Sequence, residues 1–346
     1  METWQHLDES LRDQATTDDV SGAVLLTQAG QTIFQGCYGL ADRAAGVPIG
    51  PGTRFGLASV TKMFTAVAVA DQVSTGRLAL DSRVIDLLPA EARPTRLHHE
   101  VTVAHLLLHT SGIADYAEED ESNASYLADY ASLWLERPSY RMLRPLDFLP
   151  LFADLPPYRP PGRAWQYCNA GYVLLGIVLE HVTGRAYVDL VQDRVFDRAG
   201  MTASGFLRLD EPHPDVAVGY LEPDTPGGTR RTNIYSVPVV GGADGGAFST
   251  LGDLDRFLHR VVDNSLMGEV TASMLEPREL LGGGYRHAYG FIHHPDGWFG
   301  HGGGDPGVAC RVQRFPDDDA HVIVLCNVET WAGEVRDAVV QAWRSH

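Results

Sequence analysis

The chain has 346 residues, which is enough for one large domain or for two lobes that share a core. A hydrophobic share of 44% and a charged share of 21% are ordinary for a globular protein. The formal net charge of −18 without any basic run excludes a nucleic-acid surface, and no stretch approaches the ~20 apolar residues of a membrane span. We therefore expect neither nucleic acid nor a membrane as a partner.

The N-terminal residues lack both the basic and the apolar region of a secretory signal, so we expect a cytoplasmic protein. The four cysteines are far apart and lack metal-ligand spacing, so we expect free thiols in a reducing compartment. If the flanking strand-like runs form a hairpin centred near Asp318, the thiols of Cys310 and Cys326 lie opposite each other.

In chain order, apolar residues at helical spacing first predict a helix over 2–14. Two β-like runs follow at 22–28 and 31–38, and a short turn between them predicts a hairpin. The segment 60–73 is mostly small or apolar and predicts a buried helix that ends at Gly76.

From residue 77 to about 200 the sequence predicts mostly helix, most clearly over 173–182. Residues 115–124 are acidic, which predicts a solvated loop or lid. The stretch 210–246 is rich in proline and glycine and is long for a loop, which favours a surface that faces substrate.

The C-terminal part combines strands with two helices. Thr250 is predicted to cap an amphipathic helix over 254–262. Three strands and a last helix are predicted at 289–293, 308–315, 321–327 and from Trp331 onward. Because strands stand at both ends of the chain, we expect an α+β fold in which both ends build one sheet. The predicted domains are an α/β domain of residues 1–58 and 245–346 and a mostly helical lobe with long loops at 59–244.

Ser59 and Lys62 stand three positions apart at the head of the predicted buried helix. Residues with this spacing share a helix face, so the lysine amine reaches the serine hydroxyl. Burial disfavours the ammonium, which makes the amine a base for the weak alcohol nucleophile. The alternative is an N-capping serine before an ordinary helix, since four residues of pattern often occur by chance.

Two further segments carry candidate chemistry. Tyr167 and Asn169 stand two apart on a predicted turn, where the phenol would relay protons and the amide would orient Lys62 or hold a substrate carbonyl. A simple turn with a helix cap is the alternative. The run 299–307 is rich in glycine, so its backbone can approach a ligand closely and, with the N–H of Ser59, form an oxyanion hole. A flexible loop is the alternative there.

Together and in this order, the three segments resemble the serine β-lactamase and penicillin-binding-protein-like superfamily. The resemblance is strongest to its class C-like branch of esterases and D-aminopeptidases, and it spans essentially the whole chain. Further segments that look like family segments are 76–81, 105–112, 184–202 and 300–307.

The resemblance implies a β-lactamase/transpeptidase-like fold, with an antiparallel sheet flanked by helices and an inserted helical lobe. It makes Ser59 the acylated nucleophile, Lys62 the adjacent base and Tyr167 the second acid or base. Gly304 falls where the family takes its second oxyanion N–H, and no cofactor or metal is implied. The implied substrate contacts are Asn169, His301, Gly302, Gly303 and Gly304.

Two departures limit how far the family's activities carry over. His301 stands where β-lactamases and carboxypeptidases place a cation that seats the substrate carboxylate, and histidine is mostly neutral near pH 7. This disfavours penicillin hydrolysis and D-Ala-D-Ala cleavage. Cys168 replaces a serine or alanine, and we expect it to be a small buried filler.

His105 and His109 have i, i+4 spacing but no third ligand, so we expect structural histidines.

The sequence therefore predicts a serine hydrolase that acts through a Ser59 acyl-enzyme on a small ester or amide, of the esterase or D-amino-acid amidase/peptidase type. The alternative is an acyltransferase of specialised metabolism that passes the acyl group to an amine or alcohol. A third hypothesis is a penicillin-type sensor that is acylated without turnover.

Overall fold

The computed structural model describes residues 2–225, 228–279 and 285–345. Its helices are α1 (Glu2–Thr17), α2 (Thr61–Ser74), α3 (Val84–Leu87), α4 (Val103–Leu107), α5 (Pro145–Phe148), α6 (Asn169–Thr183), α7 (Tyr187–Val191), α8 (Asp197–Ala199), α9 (Leu251–Val262), α10 (Thr271–Leu275) and α11 (Ala332–Arg344). Its strands are β1 (Gly22–Gln28), β2 (Gln31–Tyr38), β3 (Leu40–Asp42), β4 (Val47–Pro48), β5 (Phe55–Gly56), β6 (Phe248–Ser249), β7 (Arg278–Glu279), β8 (Arg286–Ala288), β9 (Phe291–His293), β10 (Phe299–Asp305), β11 (Val308–Phe315) and β12 (Ala320–Cys326).

The main sheet joins the two ends of the chain. Its strand order is β2-β1-β12-β11-β10-β9-β8-β7, and the neighbouring strands are antiparallel. β1 pairs with β12, with Gly22 opposite Cys326, so the predicted pairing of first and last segments is confirmed. The division at residues 58/59 and 244/245 stays a prediction.

Helices cover both faces of this sheet. Because successive residues of a strand point to opposite faces, each strand contributes side chains to two separate cores. Val24 and Leu26 of β1 belong to a smaller core with residues of α1 and α11. Ala23 and Leu25 belong to the larger core, which contains α2, α6 and α9. The α1 and α11 layer therefore covers one face of the sheet, and α2 lies on the other face.

Helix α2 is buried over residues 61–72, as the apolar pattern predicts. Gly76 follows its C-cap Thr75 with φ +72°, a left-handed conformation that glycine adopts without strain. In the parts of the chain that the structure describes, no helix is long and apolar enough to cross a membrane.

The prediction that the thiols of Cys310 and Cys326 lie opposite each other is wrong. Cys310 lies opposite Leu325, and Cys326 lies opposite Ala309. This offset of one residue places the two side chains in different cores, on opposite faces of the sheet. All four cysteines are free, as predicted, and the cytoplasmic location stays a prediction.

The region 77–168 is less helical than predicted. Its helices α3, α4 and α5 have only four, five and four residues. Prolines that remove backbone donors recur through the region, at Pro89, Pro94, Pro138, Pro145, Pro150, Pro156, Pro157, Pro160 and Pro161. The next helix, α6, begins at Asn169 and not at Val173, and Gly184 closes it as expected.

Strand β10 lies so close to the turn before α2 that Gly303 has no room for a side chain. A Cβ at Gly303 would lie 2.3 Å from the Leu57 carbonyl oxygen and 2.6 Å from Cys310 Sγ. We expect Gly303→Ala to lower the free energy of unfolding by about 1–3 kcal/mol, because the added methyl forces backbone apart. Denaturant unfolding measures this change.

Gly50→Ala is the matched control, since a Cβ there meets no atom within 4 Å. It should change the free energy of unfolding by less than about 0.5 kcal/mol. Equal stability of Gly303→Ala and Gly50→Ala would contradict the close approach of β10 to this turn.

Candidate active site

Ser59 is presented by a strained turn. It lies in the 3-10 turn Ala58–Val60, directly before α2 begins at Thr61. Ala58 has φ +45°, a left-handed conformation that is uncommon for a residue with a Cβ. Strain of this kind persists where the surroundings fix the backbone, and it clusters at functional sites. The turn leaves the Ser59 side chain half-buried beside a cavity.

The amine of Lys62 is fully buried and surrounded by oxygen atoms. Its Nζ lies 3.0 Å from Ser59 Oγ, 2.7 Å from Asn169 Oδ1 and 2.6 Å from the Asp244 carbonyl oxygen. Burial lowers the pKa of Lys62, while nearby carboxylates, Asp244 first, oppose that shift. The predicted approach of Lys62 to Ser59 is therefore present, and Lys62 is also the single lysine in the sequence.

Tyr167 reaches Ser59 from the loop before α6. Its hydroxyl donates to Ser59 Oγ at 2.7 Å, and its ring centre lies 4.8 Å from Lys62 Nζ. Burial raises the pKa of Tyr167 well above its ordinary value, so the phenol keeps its proton near neutral pH. The structure thus brings Ser59, Lys62 and Tyr167 together around one oxygen atom.

Asn169, the first residue of α6, is fixed by a carboxylate from a distant loop. Asp115 accepts hydrogen bonds from the backbone N–H groups of Asn169 and Ala170 at 2.8 and 2.9 Å and from Asn169 Nδ2 at 3.2 Å. The side-chain oxygen of Asn169 therefore points to Lys62. Burial raises the pKa of Asp115 to about 6, and the two backbone donors act in the opposite direction.

The prediction of a solvated acidic loop is wrong for the first part of residues 115–124. Asp115 is 3% and Glu118 2% exposed, and the exposed part begins at Glu119. The cause is that these carboxylates have hydrogen-bond partners within the protein, since Gln166 Nε2 donates to Glu118 at 2.6 Å. The segment is a wall of the site.

His109 holds the loop that carries Tyr167, a role that the sequence pattern does not reveal. Its Nδ1 accepts the Cys168 N–H at 3.0 Å, and its carbonyl accepts the Gln166 N–H at 2.9 Å. Its ring stacks on the Tyr167 ring with a centroid distance of 4.5 Å. Burial lowers the pKa of His109 well below its ordinary value, which suits a neutral acceptor. His109 and His105 do not share a helix, because α4 ends at Leu107.

The glycine-rich segment forms most of β10, and only its end lines the cavity. Gly304 lies in the cavity wall with Ser59, whereas His301, Gly302 and Gly303 are not lining residues. His301 is buried, and burial lowers its pKa to about 4, so it is neutral at pH 7. The predicted substrate contacts of His301, Gly302 and Gly303 stay predictions.

The cavity beside Ser59 has a volume of about 200 Å³ and a mixed wall. Its apolar lining includes Leu127, Tyr130, Phe148, Leu207, Leu209, Val237, Phe248 and Val308. Its acidic lining consists of Glu118, Glu119, Asp244 and Asp305. Among the described residues that line this cavity, none is lysine, arginine or histidine. The titratable lining of the cavity is therefore predominantly acidic.

One group of side chains elsewhere has the composition of a metal site. Asp255, His259 and His321 place candidate ligand atoms within 4.8 Å of one another. However, His321 Nδ1 already lies 2.8 Å from Asp255, and its Nε2 contacts the guanidinium of Arg314. Because both ring nitrogens of His321 have partners, the group carries no metal assignment.

The fold and the Ser-Lys-Tyr geometry define a serine hydrolase of the β-lactamase-like superfamily. A family model described as Beta-lactamase matches residues 7–343, and the chain belongs to that family. The solved penicillin binding protein from Bacillus halodurans has a TM-score of 0.87 and 34% identity, over 96% of this chain and 99% of that one.

Curated relatives support the same superfamily assignment. Penicillin-binding protein 4* of Bacillus subtilis (strain 168) is 26% identical over 349 residues, which is 94% of this chain and 72% of the relative. A D-aminopeptidase of Cereibacter sphaeroides is 28% identical over 337 residues, which is 94% of this chain and 60% of the relative. The predicted superfamily and fold class are confirmed.

We expect His109→Phe to lower kcat by about 10- to 100-fold with a smaller effect on KM, because the Cys168 N–H loses its acceptor and Tyr167 shifts. Steady-state kinetics measure the effect. His99→Phe, at an exposed position, is the control and should be neutral. A lower melting temperature with unchanged kcat would show that His109 only supports the fold.

Proposed function

We propose that Ser59 forms an acyl-enzyme with a small ester or amide and that water then releases the acid. The observation that supports the proposal is the position of Ser59 Oγ, 3.0 Å from Lys62 Nζ and 2.7 Å from Tyr167 OH. A nucleophile within hydrogen-bond reach of its base is the arrangement that activates an alcohol.

In acylation, Ser59 Oγ attacks the carbonyl carbon while its proton passes to the Lys62 amine. A neutral amine has two hydrogens and one lone pair. The short contacts to Asn169 Oδ1 and the Asp244 carbonyl take the two hydrogens, which leaves the lone pair for Ser59. Tyr167, protonated because its pKa is raised, gives a proton to the leaving group as the bond to the carbonyl carbon breaks.

Deacylation runs through the same groups. Lys62 passes the proton it took from Ser59 to the Tyr167 phenolate, which restores both residues. Water then attacks the acyl carbon and gives a proton to Lys62. As the ester bond to Ser59 Oγ breaks, Lys62 passes that proton to Ser59 Oγ, which restores the amine and the hydroxyl and releases the acid. No group other than those around Ser59 is needed for this proton balance.

We infer that the N–H groups of Ser59 and Gly304 stabilise the oxyanion. In support, Gly304 shares the cavity wall with Ser59, and a Cβ at Gly304 would meet no atom within 4 Å. The backbone there is open to a ligand. Losing one such donor costs about 10²- to 10³-fold in rate.

The charges of the cavity favour substrates without a carboxylate. Four acidic residues line it, and the nearby His301 is neutral. A penicillin or a peptide with a C-terminal carboxylate would bring a negative charge into this field, which costs binding free energy. We therefore propose neutral or amine-bearing esters and amides, in line with the name of the D-aminopeptidase relative.

We expect Ser59→Ala to abolish hydrolysis of a p-nitrophenyl ester, and Tyr167→Phe to lower kcat by about 10²- to 10⁴-fold. Release of nitrophenol measures turnover, and added hydroxylamine tests for transfer to an amine. The matched controls are Ser345→Ala and Tyr140→Phe, both at exposed positions. Hydrolysis at the wild-type rate in Ser59→Ala would refute the proposal.

We also expect kcat/KM to fall as the pH is lowered, because protonation of Lys62 removes the base. Since burial lowers the pKa of Lys62, the inflection should lie below the ordinary value of about 10.4. Lys62→Arg keeps its charge and should be inactive across this range. Activity retained in Lys62→Arg would contradict the assigned role of the amine.

A further inference from the structure

A second cavity lies beside the one that contains Ser59. It has a volume of about 410 Å³, against about 200 Å³ for the first. The two cavities adjoin each other, since six residues line both of them: Gly56, Leu207, Leu209, Asn233, Phe248 and Val308. The chemistry at Ser59 makes no use of this larger space.

The boundary between the two cavities is largely apolar. Ser59 and the four acidic residues line the first cavity only, so the first cavity has a polar end at Ser59 and an apolar end at the boundary. A Cβ at Gly56 would lie 3.2 Å from Val308 Cγ2 and 3.8 Å from the Phe248 ring. Because Gly56 has no side chain, this part of the boundary is not filled.

The larger polar side chains of the second cavity already have partners in the protein. The amide nitrogens of Asn233 and Asn327 donate to backbone carbonyls at 2.9 to 3.1 Å. The guanidinium of Arg208 is paired with the carboxylate of Asp210. Aliphatic side chains make up much of the remaining lining, including Val216, Ala217, Val218 and Ile234. An apolar ligand group therefore fits this cavity without leaving a polar group unpaired.

The position of Tyr167 decides which end of a substrate faces the two cavities. Tyr167 is the proposed proton donor to the leaving group, so the leaving group lies beside it. Tyr167 lines neither cavity, whereas Gly304, the proposed oxyanion donor, lines the first. The acyl group of a substrate bound at Ser59 therefore points into the first cavity and toward the boundary.

We propose that the second cavity binds the distal, apolar part of the acyl group of the substrate. An acyl chain attached to Ser59 would cross the first cavity, pass the boundary at Gly56 and end among the aliphatic side chains of the second. The inference rests on the proposed acyl-enzyme at Ser59 and specifies its acyl group as an aliphatic chain of medium length.

The test follows kcat/KM along a series of p-nitrophenyl esters from acetate to octanoate. Burial of one methylene is worth up to about fourfold in kcat/KM, so the wild-type enzyme should favour octanoate over acetate by at least about 10-fold. Lengthening the alcohol instead, from ethyl acetate to octyl acetate, should change kcat/KM by less than about threefold, because the leaving group does not face the cavities.

Val216→Trp fills the second cavity from a position that does not line the first. It should lower the octanoate-to-acetate ratio about 10-fold, through a fall in kcat/KM for octanoate. Thr232→Trp, at an exposed lining position that tolerates a larger side chain, should act in the same direction. Val262→Trp makes the first change at an exposed position of α9 and should leave the ratio at its wild-type value. Thermal unfolding of each variant checks folding.

A wild-type ratio near one overturns the role of the second cavity. A wild-type ratio retained in both Val216→Trp and Thr232→Trp also overturns it, as does a gain with alcohol length that Val216→Trp removes. If the acetate ester is still hydrolysed in a Ser59-dependent way, the proposed acyl-enzyme stands and only the acyl-chain site fails. If none of the esters is hydrolysed, both proposals fail.

Discussion

The proposed catalytic site depends on the burial of one amine. Placing a charged ammonium away from water is costly, so an enclosed lysine tends toward its neutral form unless carboxylates compensate. Lys62 has no solvent contact, and its three nearest oxygen atoms come from the turn at Ser59, from α6 and from the loop at Asp244. These separate segments must therefore meet correctly before Lys62 can act as a base.

Two of the segments around Lys62, α6 and the loop before it, are held by buried residues. Asp115 fixes the start of α6, and with it Asn169. His109 fixes the loop before α6, and with it Tyr167. These supporting residues come from the irregular region between α4 and α5, which explains how a region poor in regular structure positions Asn169 and Tyr167. Its buried polar contacts take the place of long helices.

Local patterns in the sequence predict much of this structure. The hairpin of β1 and β2, the buried α2 and the spacing of Ser59 and Lys62 follow from periodicity and turn residues. The contacts of Asp115 and Asp244 do not, because they join residues 54 and 128 positions apart. The predicted pairing of Cys310 with Cys326 was also wrong, since a shift of one residue between β11 and β12 moves a side chain to the other face.

The measurement that tests the central claim most directly is the pKa of Lys62. Because the sequence has a single lysine, lysine labelled with ¹³C at the ε-carbon gives one side-chain NMR signal, which can be followed through a pH titration of the folded protein. We predict a midpoint below the ordinary value of about 10.4, with the shift lost on unfolding. A midpoint at or above the ordinary value would show that Lys62 is a stable ammonium and would contradict its role as the base.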